Sequence, residues 1–454
     1  MKPHAVIPPV SEDRLAAVFK AYDVRGLSPE ELDEPMARAI GAAFARYTKA
    51  TSIAMGRDMR SSGEGLSAAF AEGVTSQSVD VVDIGLASTD LLYFASGHLG
   101  TPAVMLTASH NPAAYNGMKF CNSGAQAIGA ETGLDQICLL AAQPAISADE
   151  RGQTRQIDLL DRFVEHVHSF VNLDALRPLR VIADTANGMG GHVLPATFAG
   201  LPFQLEILYG ELDGSFPNHP ADPIQQENLV DLQHKIVEET ADIGLAFDGD
   251  ADRVFLVDEK ANPVSGSLTT ALVATAVLER EGPGPILHNL ICSRATVEAI
   301  QEAGGRPIRT RVGHSYIKAI MAETGAAFGG EHSGHYYFAR NFGADSGLIA
   351  ALIVLEHLST SGGSLSSLLD PIDRYANSGE VNAEVEDPSE VIETVASYFD
   401  DQPQDWLDGL TVDCGEWWFN LRPSNTEHLL RLNVEAMNDE QVAERVEEIL
   451  ALFR

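Results

Sequence analysis

The sequence predicts an α/β protein: three related mixed α/β domains followed by a smaller C-terminal α+β domain. The first observation behind this is a recurring pattern. A short β-branched or apolar run leads into a loop rich in Gly, Ser, Asp or Asn, then a helix, then another strand. It occurs as TSIAMGRDMRSSGEGLSAAFAEGV with VDVVDIG, as LRVIADTANGMGGHVLPATF with LEILYG, and as PILHNLICSRATVEAIQEAGG with RPIRTRVG. Such alternation gives α/β units with mainly parallel sheets. The second observation is that the tail breaks the pattern. WWFNLRPSNTEHLLRLNVEA reads as strand, loop, strand, with Leu430, Leu432 and Val434 alternating against Arg431, Asn433 and Glu435. A helix follows from Asp439, carrying Val442, Val446, Ile449 and Leu450 on one face. The third is length: 454 residues exceed what one hydrophobic core organises. Polar or proline-bearing stretches at ISADERGQTRQ, DEKANPVSG and LLDPIDRY mark the linkers and divide the chain into 1–154, 155–259, 260–371 and 372–454.

Composition narrows the function classes. Hydrophobic content of 45% and charged content of 21% are ordinary globular values, so the chain folds. The formal net charge of -35 makes nucleic acid an unfavourable partner, because a polyanion is repelled at long range. An anionic ligand then needs a local basic pocket, and lysine occurs only at positions 2, 20, 49, 119, 235, 260 and 318. The acidity suits solubility, and beyond that a surface that stays hydrated in high salt. Cysteines 121, 138, 292 and 414 show no CxxC and no metal-ligand spacing, which predicts free thiols in a reducing compartment. MKPHAVIPPV lacks the apolar run of a signal peptide. The longest apolar stretch, LTTALVATAVL from residue 268, is about half a membrane span. These features predict a cytoplasmic protein with no membrane partner.

The chemistry is concentrated in four loops. In ADIGLAFDGDADRVFLVDE, Asp248, Asp250 and Asp252 follow an apolar strand directly. Uncompensated, three carboxylates on one short loop repel one another, and a hard cation with oxygen ligands removes that repulsion. An EF-hand needs Gly at position six, where Arg253 stands, and helical flanks where strands are predicted. Mg²⁺, which pairs a few carboxylates with a phosphate oxygen, is the better match. In FGGEHSGHYYF, Glu331, Ser333 and His335 alternate between Gly330 and Gly334. If the segment is extended they share one face and can read a row of hydroxyls, which suits a sugar. In NLRPSNTEHLLR, Arg422, Ser424, Asn425 and Thr426 offer a guanidinium fork and turn donors for a phosphate, on a segment that also reads as an ordinary turn.

The fourth loop, LTASHNPAAYNGMKF, sets Ser109 beside His110 with Lys119 ten residues further on. On a regular strand neighbouring side chains face opposite ways, so His110 is poorly placed as the partner of a Ser-His hydrolase dyad. No G-x-S-x-G elbow surrounds the serine either. A phosphate carried on Ser109, beside a cation held by the aspartates, makes it a phosphoryl donor instead. His110 and Lys119 are then free to exchange protons with sugar hydroxyls.

With KAYDVRG near the start, then TASHNP, DGDADR, GEHSGH and RPSNTE in order, the whole chain resembles the α-D-phosphohexomutase family, and within it the bacterial phosphomannomutase/phosphoglucomutase branch. The resemblance implies three mixed α/β domains and a smaller C-terminal domain around a central cleft. It implies Ser109 as the phosphoserine, Asp248, Asp250 and Asp252 as Mg²⁺ ligands alongside it, and Tyr22 and Arg25 near the phosphate. Arg253 matches the family's active-site arginine, His110 and Lys119 the acid/base positions, and His314 in RVGHSYIK a substrate-contacting histidine. Glu331, Ser333 and His335 match the sugar-reading loop, and Arg422, Ser424, Asn425 and Thr426 the distal phosphate site. The implied activity interconverts mannose 1-phosphate and mannose 6-phosphate, and the corresponding glucose phosphates, through a hexose 1,6-bisphosphate intermediate. Transfer of this kind rests on positioning and charge neutralisation.

Two positions depart from the pattern: His428 stands where RPSNTEP-type members carry proline, and Ile291 where some dual-specificity members carry a substrate-contacting lysine. The second bears on breadth for mannose and glucose phosphates. Phosphoglucosamine mutase is the rival within the family, although its sugar loop reads GEQSGH where this chain has His332. A non-catalytic sugar-phosphate-binding protein and a metal-dependent phosphatase are the rivals outside it; intact Ser109, Lys119 and the three aspartates speak against the first.

Overall fold

The computed structural model describes residues 5–423 and 429–453, and for 314 and 315 the backbone alone. The chain divides into two compact units, Met1–Ser265 with Ser333–Ser366, and Gly266–His332 with Ser367–Arg454.

The first unit holds two mixed sheets. One runs in the order Val24–Leu27, Tyr115–Asn122, Ala103–Leu106, Ser52–Arg57, Asp80–Leu86, Thr154–Gln156. Ser52–Arg57 pairs in parallel with both Asp80–Leu86 and Ala103–Leu106, as the first repeat predicts. Helix Glu34–Thr48 covers this sheet. Asp33 caps it by accepting the Met36 N–H at 2.9 Å, and its alanine-rich inner face lets it lie close over Phe70 and Phe120. Because the three central strands run parallel, the loops that follow them leave the sheet at the same end, where open α/β sheets bind ligands. Those loops begin at Asp58, Ala87 and Thr107. Thr154–Gln156, which its polar composition marks as a linker, is instead an edge strand paired with Val81–Asp83. An edge strand needs partners for its backbone more than apolar side chains, so composition alone misreads it.

The second sheet of this unit places Arg180–Asp184 in parallel between Gln204–Leu208 and Ile243–Phe247, then adds Val254–Val257 and Pro263–Val264 antiparallel. Ile182, Leu232, Ile236 and Val257 form its core. DGDADR is therefore the connection of an antiparallel pair whose last and first rungs are Phe247 and Val254. DEKANPVSG, read as a linker, carries the next hairpin turn and the strand Pro263–Val264. Helix Gly347–Ser361 is apolar nearly all round and almost entirely buried. Its N-cap Ser346 also donates to Asp90 at 2.6 Å.

In the second unit, Pro285–Asn289 pairs in parallel with Arg306–Thr310 and Phe328–Gly330. A separate five-stranded sheet runs Ala376–Glu384, Leu429–Ala436, Trp418–Pro423, Leu410–Asp413, Gln404–Asp405, all antiparallel. Helices Pro388–Tyr398 and Asp439–Ala451 pack on it, as the alternation and the helical face of the tail predict. No helix among the described residues is long and apolar enough to cross a membrane.

One buried histidine sets an acid limit on the second unit. His288 is 4% exposed in the strand Pro285–Asn289, and burial pushes its imidazole down to about 4. The unfolded chain takes that proton near pH 6.5, so stability is complete above about 6.5 and falls as the pH drops toward 4. The full loss is roughly 3 kcal/mol. His288→Gln is expected to flatten the dependence of Tm on pH between 7 and 4.5, measured by calorimetry against the unsubstituted protein.

Candidate active site

Ser109 sits just beyond the buried strand Ala103–Leu106, at the end of the sheet where the parallel strands finish. Its N–H donates to Thr107 Oγ1 at 2.9 Å, and its φ of 49° puts it in the left-handed region. The strand alternation that separates Ser109 from His110 therefore does not apply. Ser109 Oγ lies 3.3 Å from His110 Nδ1 and donates to Asp248 Oδ2 at 2.7 Å. A left-handed serine leaves no mark in the sequence, which is why the expectation of opposed side chains fails here.

The aspartate loop meets the serine loop backbone to backbone. A Cβ at position 249 would stand 2.3 Å from Ser109 O, so only glycine permits this approach. Asp248 accepts Arg253 Nε at 2.9 Å and the Arg253 N–H at 3.2 Å. Asp250 Oδ2 accepts Lys119 Nζ at 2.7 Å and the Thr89 hydroxyl at 2.5 Å, while Asp250 O accepts the Thr89 N–H at 3.0 Å. Asp252 Oδ2 accepts Lys119 Nζ at 2.7 Å. None of the three carboxylates is more than 1% exposed.

Their ionisation follows from this wiring. Burial pushes Asp248 up to about 7, with Asp252 and Asp250 adding to the rise against the opposing pull of Arg253. Burial and the charge of Asp250 push Asp252 up to about 6. Asp250 resists the same burial because Lys119 holds it well below the usual carboxylate range. Lys119 in turn is held cationic against its burial by Asp250 and Asp252. Burial, Arg253 and Arg25 keep the His110 imidazole neutral.

Asp250 Oδ1 and Asp252 Oδ1 are buried and accept no hydrogen bond. One oxygen from each of the three aspartates falls within 4.8 Å of the others. Orphaned carboxylate oxygens are costly unless a cation takes them, so this donor set fits a hard divalent ion. A second group, Asp252, His335 and Asp345, meets the same distance limit, with His335 Nε2 3.9 Å from Asp252 Oδ1 and 4.0 Å from Asp345 Oδ2.

The other expected residues fall as follows. Arg25 bonds Asp23 and Asn111, the latter on the serine loop, and Tyr22 is half-buried just before it. Ser333 Oγ lies 3.1 Å from His335 Nδ1. Residues 332–333 form a turn and Gly334 a bend, so the segment is not the extended strand that the alternation supposed, although Ser333 and His335 still meet. Gly334, with a φ of 85°, bends the chain there. Glu331, in the second unit, is buried and accepts from the Gly313 N–H at 3.2 Å and Asn289 Nδ2 at 3.4 Å. Arg422 is 4% exposed and donates to Glu380 at 2.7 Å and Asn433 at 3.3 Å. His314 opens the helix His314–Thr324, but its side chain lies outside the described residues. Ser424, Asn425, Thr426 and His428 lie outside them altogether. Ile291 is buried.

Sequence reasoning missed Thr89, Asp58 and Arg60. Asp58 and Arg60 sit in the loop after one parallel strand of the first sheet, and Thr89 opens the helix Thr89–Leu99 after another; that placement was the available signal.

Fold and site together define a multidomain α/β protein in which a serine hydroxyl is set against a buried carboxylate cluster fit for a cation. Four family profiles match the chain in order. They are Phosphoglucomutase/phosphomannomutase alpha/beta/alpha domain I over 16–142, domain II over 161–262, domain III over 265–375 and the C-terminal domain over 380–452. A phosphomannomutase of Salmonella montevideo is 39% identical over 448 residues, covering 96% of this chain and 98% of its own. A protein of Xanthomonas campestris pv. campestris named for phosphohexose mutases is 38% identical over 442 residues, covering 96% and 99%. A crystal structure of a phosphoglucomutase/phosphomannomutase family protein from Burkholderia thailandensis superposes with a TM-score of 0.87 at 32% identity, covering 98% of this chain and 97% of the other. The chain belongs to the phosphoglucomutase/phosphomannomutase family, and with it to the isomerases that act by phosphoryl transfer.

Proposed function

We propose that the protein interconverts the 1- and 6-phosphates of mannose, and also those of glucose, with Ser109 carrying the phosphoryl group between them. The observation that carries this reading is Ser109 Oγ at 2.7 Å from Asp248, on a cluster in which the buried Asp250 Oδ1 and Asp252 Oδ1 accept no hydrogen bond. Mg²⁺ is the ion the oxygen donors suit; Asp248, Asp250 and Asp252 would hold it, together with the Ser109 phosphate, and when bound it supplies positive charge beside the transferring group. Phospho-Ser109 donates to the free hydroxyl of a hexose monophosphate, giving the 1,6-bisphosphate. The bisphosphate reorients, and its other phosphoryl group returns to Ser109. Arg25 and Arg253 supply cationic donors at this end, and Lys119 fixes the carboxylates. Ser333 and His335 are donors for sugar hydroxyls in the first unit, with Glu331 and His314 assigned to the same task in the second. Arg422, with Ser424, Asn425 and Thr426, is assigned to the distal phosphate.

Chromatography with phosphate analysis tests the reading. Mannose 1-phosphate is expected to convert to mannose 6-phosphate with almost no free phosphate. Turnover should vanish after dialysis against a chelator and return with Mg²⁺. Phosphate released in step with substrate loss would make the protein a phosphatase. Parallel kcat/KM values for glucose 1-phosphate and glucosamine 1-phosphate decide the breadth, and a preference for the amino sugar would overturn the assignment to mannose.

A further inference from the structure

Arg60 is among the largest fully buried side chains of the described structure, and the catalytic reading gives it no part. It is 2% exposed and its partner Asp58 is 0% exposed. Its contacts converge on the serine loop. Nη2 donates to Ser109 O at 2.8 Å and Asn111 O at 2.6 Å, and Nη1 donates to Pro112 O and Tyr115 O, both at 2.9 Å. Nε donates to Asp58 Oδ2 at 3.2 Å. A guanidinium has five N–H groups in one plane, and each of them is used here.

The other end of the serine peptide is held beside the same ion pair. Ser109 N–H donates to Thr107 Oγ1 at 2.9 Å, and the Asp58 N–H donates to the neighbouring Leu106 O at 3.0 Å. The C=O of Ser109 is therefore tied directly to Arg60, and its N–H to the strand end on which Asp58 is anchored. A left-handed serine is sparsely populated on its own and persists where its surroundings over-determine it. We propose that Arg60, braced by Asp58, is a positioning residue for phosphoryl transfer: it fixes the Ser109 backbone so that Oγ stays directed at the aspartate loop.

This inference rests on Ser109 being the phosphoryl carrier. It requires the planar fork and not merely a buried positive charge. Lysine retains the charge but presents three N–H groups on one tetrahedral nitrogen, which cannot span four carbonyls arranged around a plane. The loop should then lose its single conformation while the sugar-phosphate donors elsewhere stay in place.

The test compares full-length wild type, Arg60→Lys and the double variant Asp58→Asn with Arg60→Gln, in which no buried carboxylate is left without its cation. Three quantities are measured: the rate at which glucose 1,6-bisphosphate phosphorylates Ser109, by rapid quench and phosphopeptide analysis; Kd for glucose 6-phosphate; and amide hydrogen exchange. In folded Arg60→Lys, transfer is expected to slow about 100-fold, the size of effect that a misplacement near 1 Å brings. Kd should move by less than about threefold, because the loss is confined to the transfer step. Exchange should quicken about tenfold in residues 107–116 alone, as local loosening predicts. If Arg60→Lys fails to fold, the double variant is judged by the same three measurements. A folded variant with transfer within about threefold of wild type overturns the proposal, as does a Kd that weakens in proportion to the rate. Failure of both variants to fold makes the pair a determinant of folding and also overturns it. Wild-type protein that takes no phosphate on Ser109 overturns the proposed function itself, a result distinct from all of these.

Discussion

Ser109→Ala is expected to lower turnover on the order of 10⁴-fold or more, the scale seen when a nucleophile is removed from a preorganised site. The substitution isolates the hydroxyl unusually well. Ser109 is held through its backbone, by its N–H on Thr107 and its C=O on Arg60, and both bonds survive in alanine. Alanine at φ 49° bears the same left-handed strain as serine, so the backbone preference is unchanged. What is lost is the 2.7 Å bond to Asp248, about 1.5–3 kcal/mol for a bond to a charged group. In a chain of 454 residues that moves Tm by only a few degrees. Kd for the sugar phosphates should stay within about threefold, and intact-mass analysis should find no phosphate after incubation with glucose 1,6-bisphosphate. Residual mutase turnover above about 1% of wild type would mean that another group carries the phosphoryl.

The legible part of this site was local in sequence. SHNP and DGDADR each concentrate polar groups within a few residues directly after an apolar strand, and the structure keeps both as short loops at strand ends. The illegible part was of two kinds. Some of it is tertiary: Thr89 meets Asp250 across 161 residues, Lys119 meets Asp250 across 131, and Ser346 meets Asp90 across 256. Nothing in the composition of ASTDLL or NFGADS announces these pairings. Some of it is conformational. Alternation supposes an extended chain, and it misleads at Ser109, whose φ is positive, and at 331–335, where 332–333 turn and Gly334 bends. The same limit explains Thr154–Gln156, whose place in the sheet is set by the backbone of its neighbour and not by its own side chains.

The compensation of the aspartate loop shows how these two kinds combine. From sequence, three clustered carboxylates call for a cation. The structure supplies two internal ones, Lys119 and Arg253, and still leaves Asp250 Oδ1 and Asp252 Oδ1 without a donor. The loop is thus partly neutralised by the protein and still open toward a further positive charge. Arg253 serves Asp248, while Lys119 spans Asp250 and Asp252, so the two internal cations divide the cluster between them.

That division separates the parts played by Lys119 and His110. Lys119→Ala is expected to reduce kcat about 10³-fold, the larger loss, and His110→Ala about 10²-fold, in the range of a removed proton-transfer group. Lys119 lies 2.7 Å from both Asp250 and Asp252, which hold it cationic despite its burial, so it is poorly suited to accept a proton. His110 is kept neutral by burial, Arg253 and Arg25, with Nδ1 3.3 Å from Ser109 Oγ, so it can accept one. Removing Lys119 leaves two fully buried carboxylates facing each other without their cation, and losing one partner from a buried ion pair costs about 3–5 kcal/mol. The metal-free variant should therefore melt well below wild type, and added Mg²⁺ should restore more of its Tm than it does for wild type, because the ion takes over part of the lost neutralisation. His110→Ala leaves the carboxylates paired, so its Tm and its response to Mg²⁺ should match wild type. Lys119→Arg, which keeps the charge but not the compact ammonium, should recover the Tm more fully than kcat. Equal losses of kcat in the two alanine variants, with no difference in their Mg²⁺-dependent Tm, would mean that Lys119 acts on the substrate and not on the aspartates.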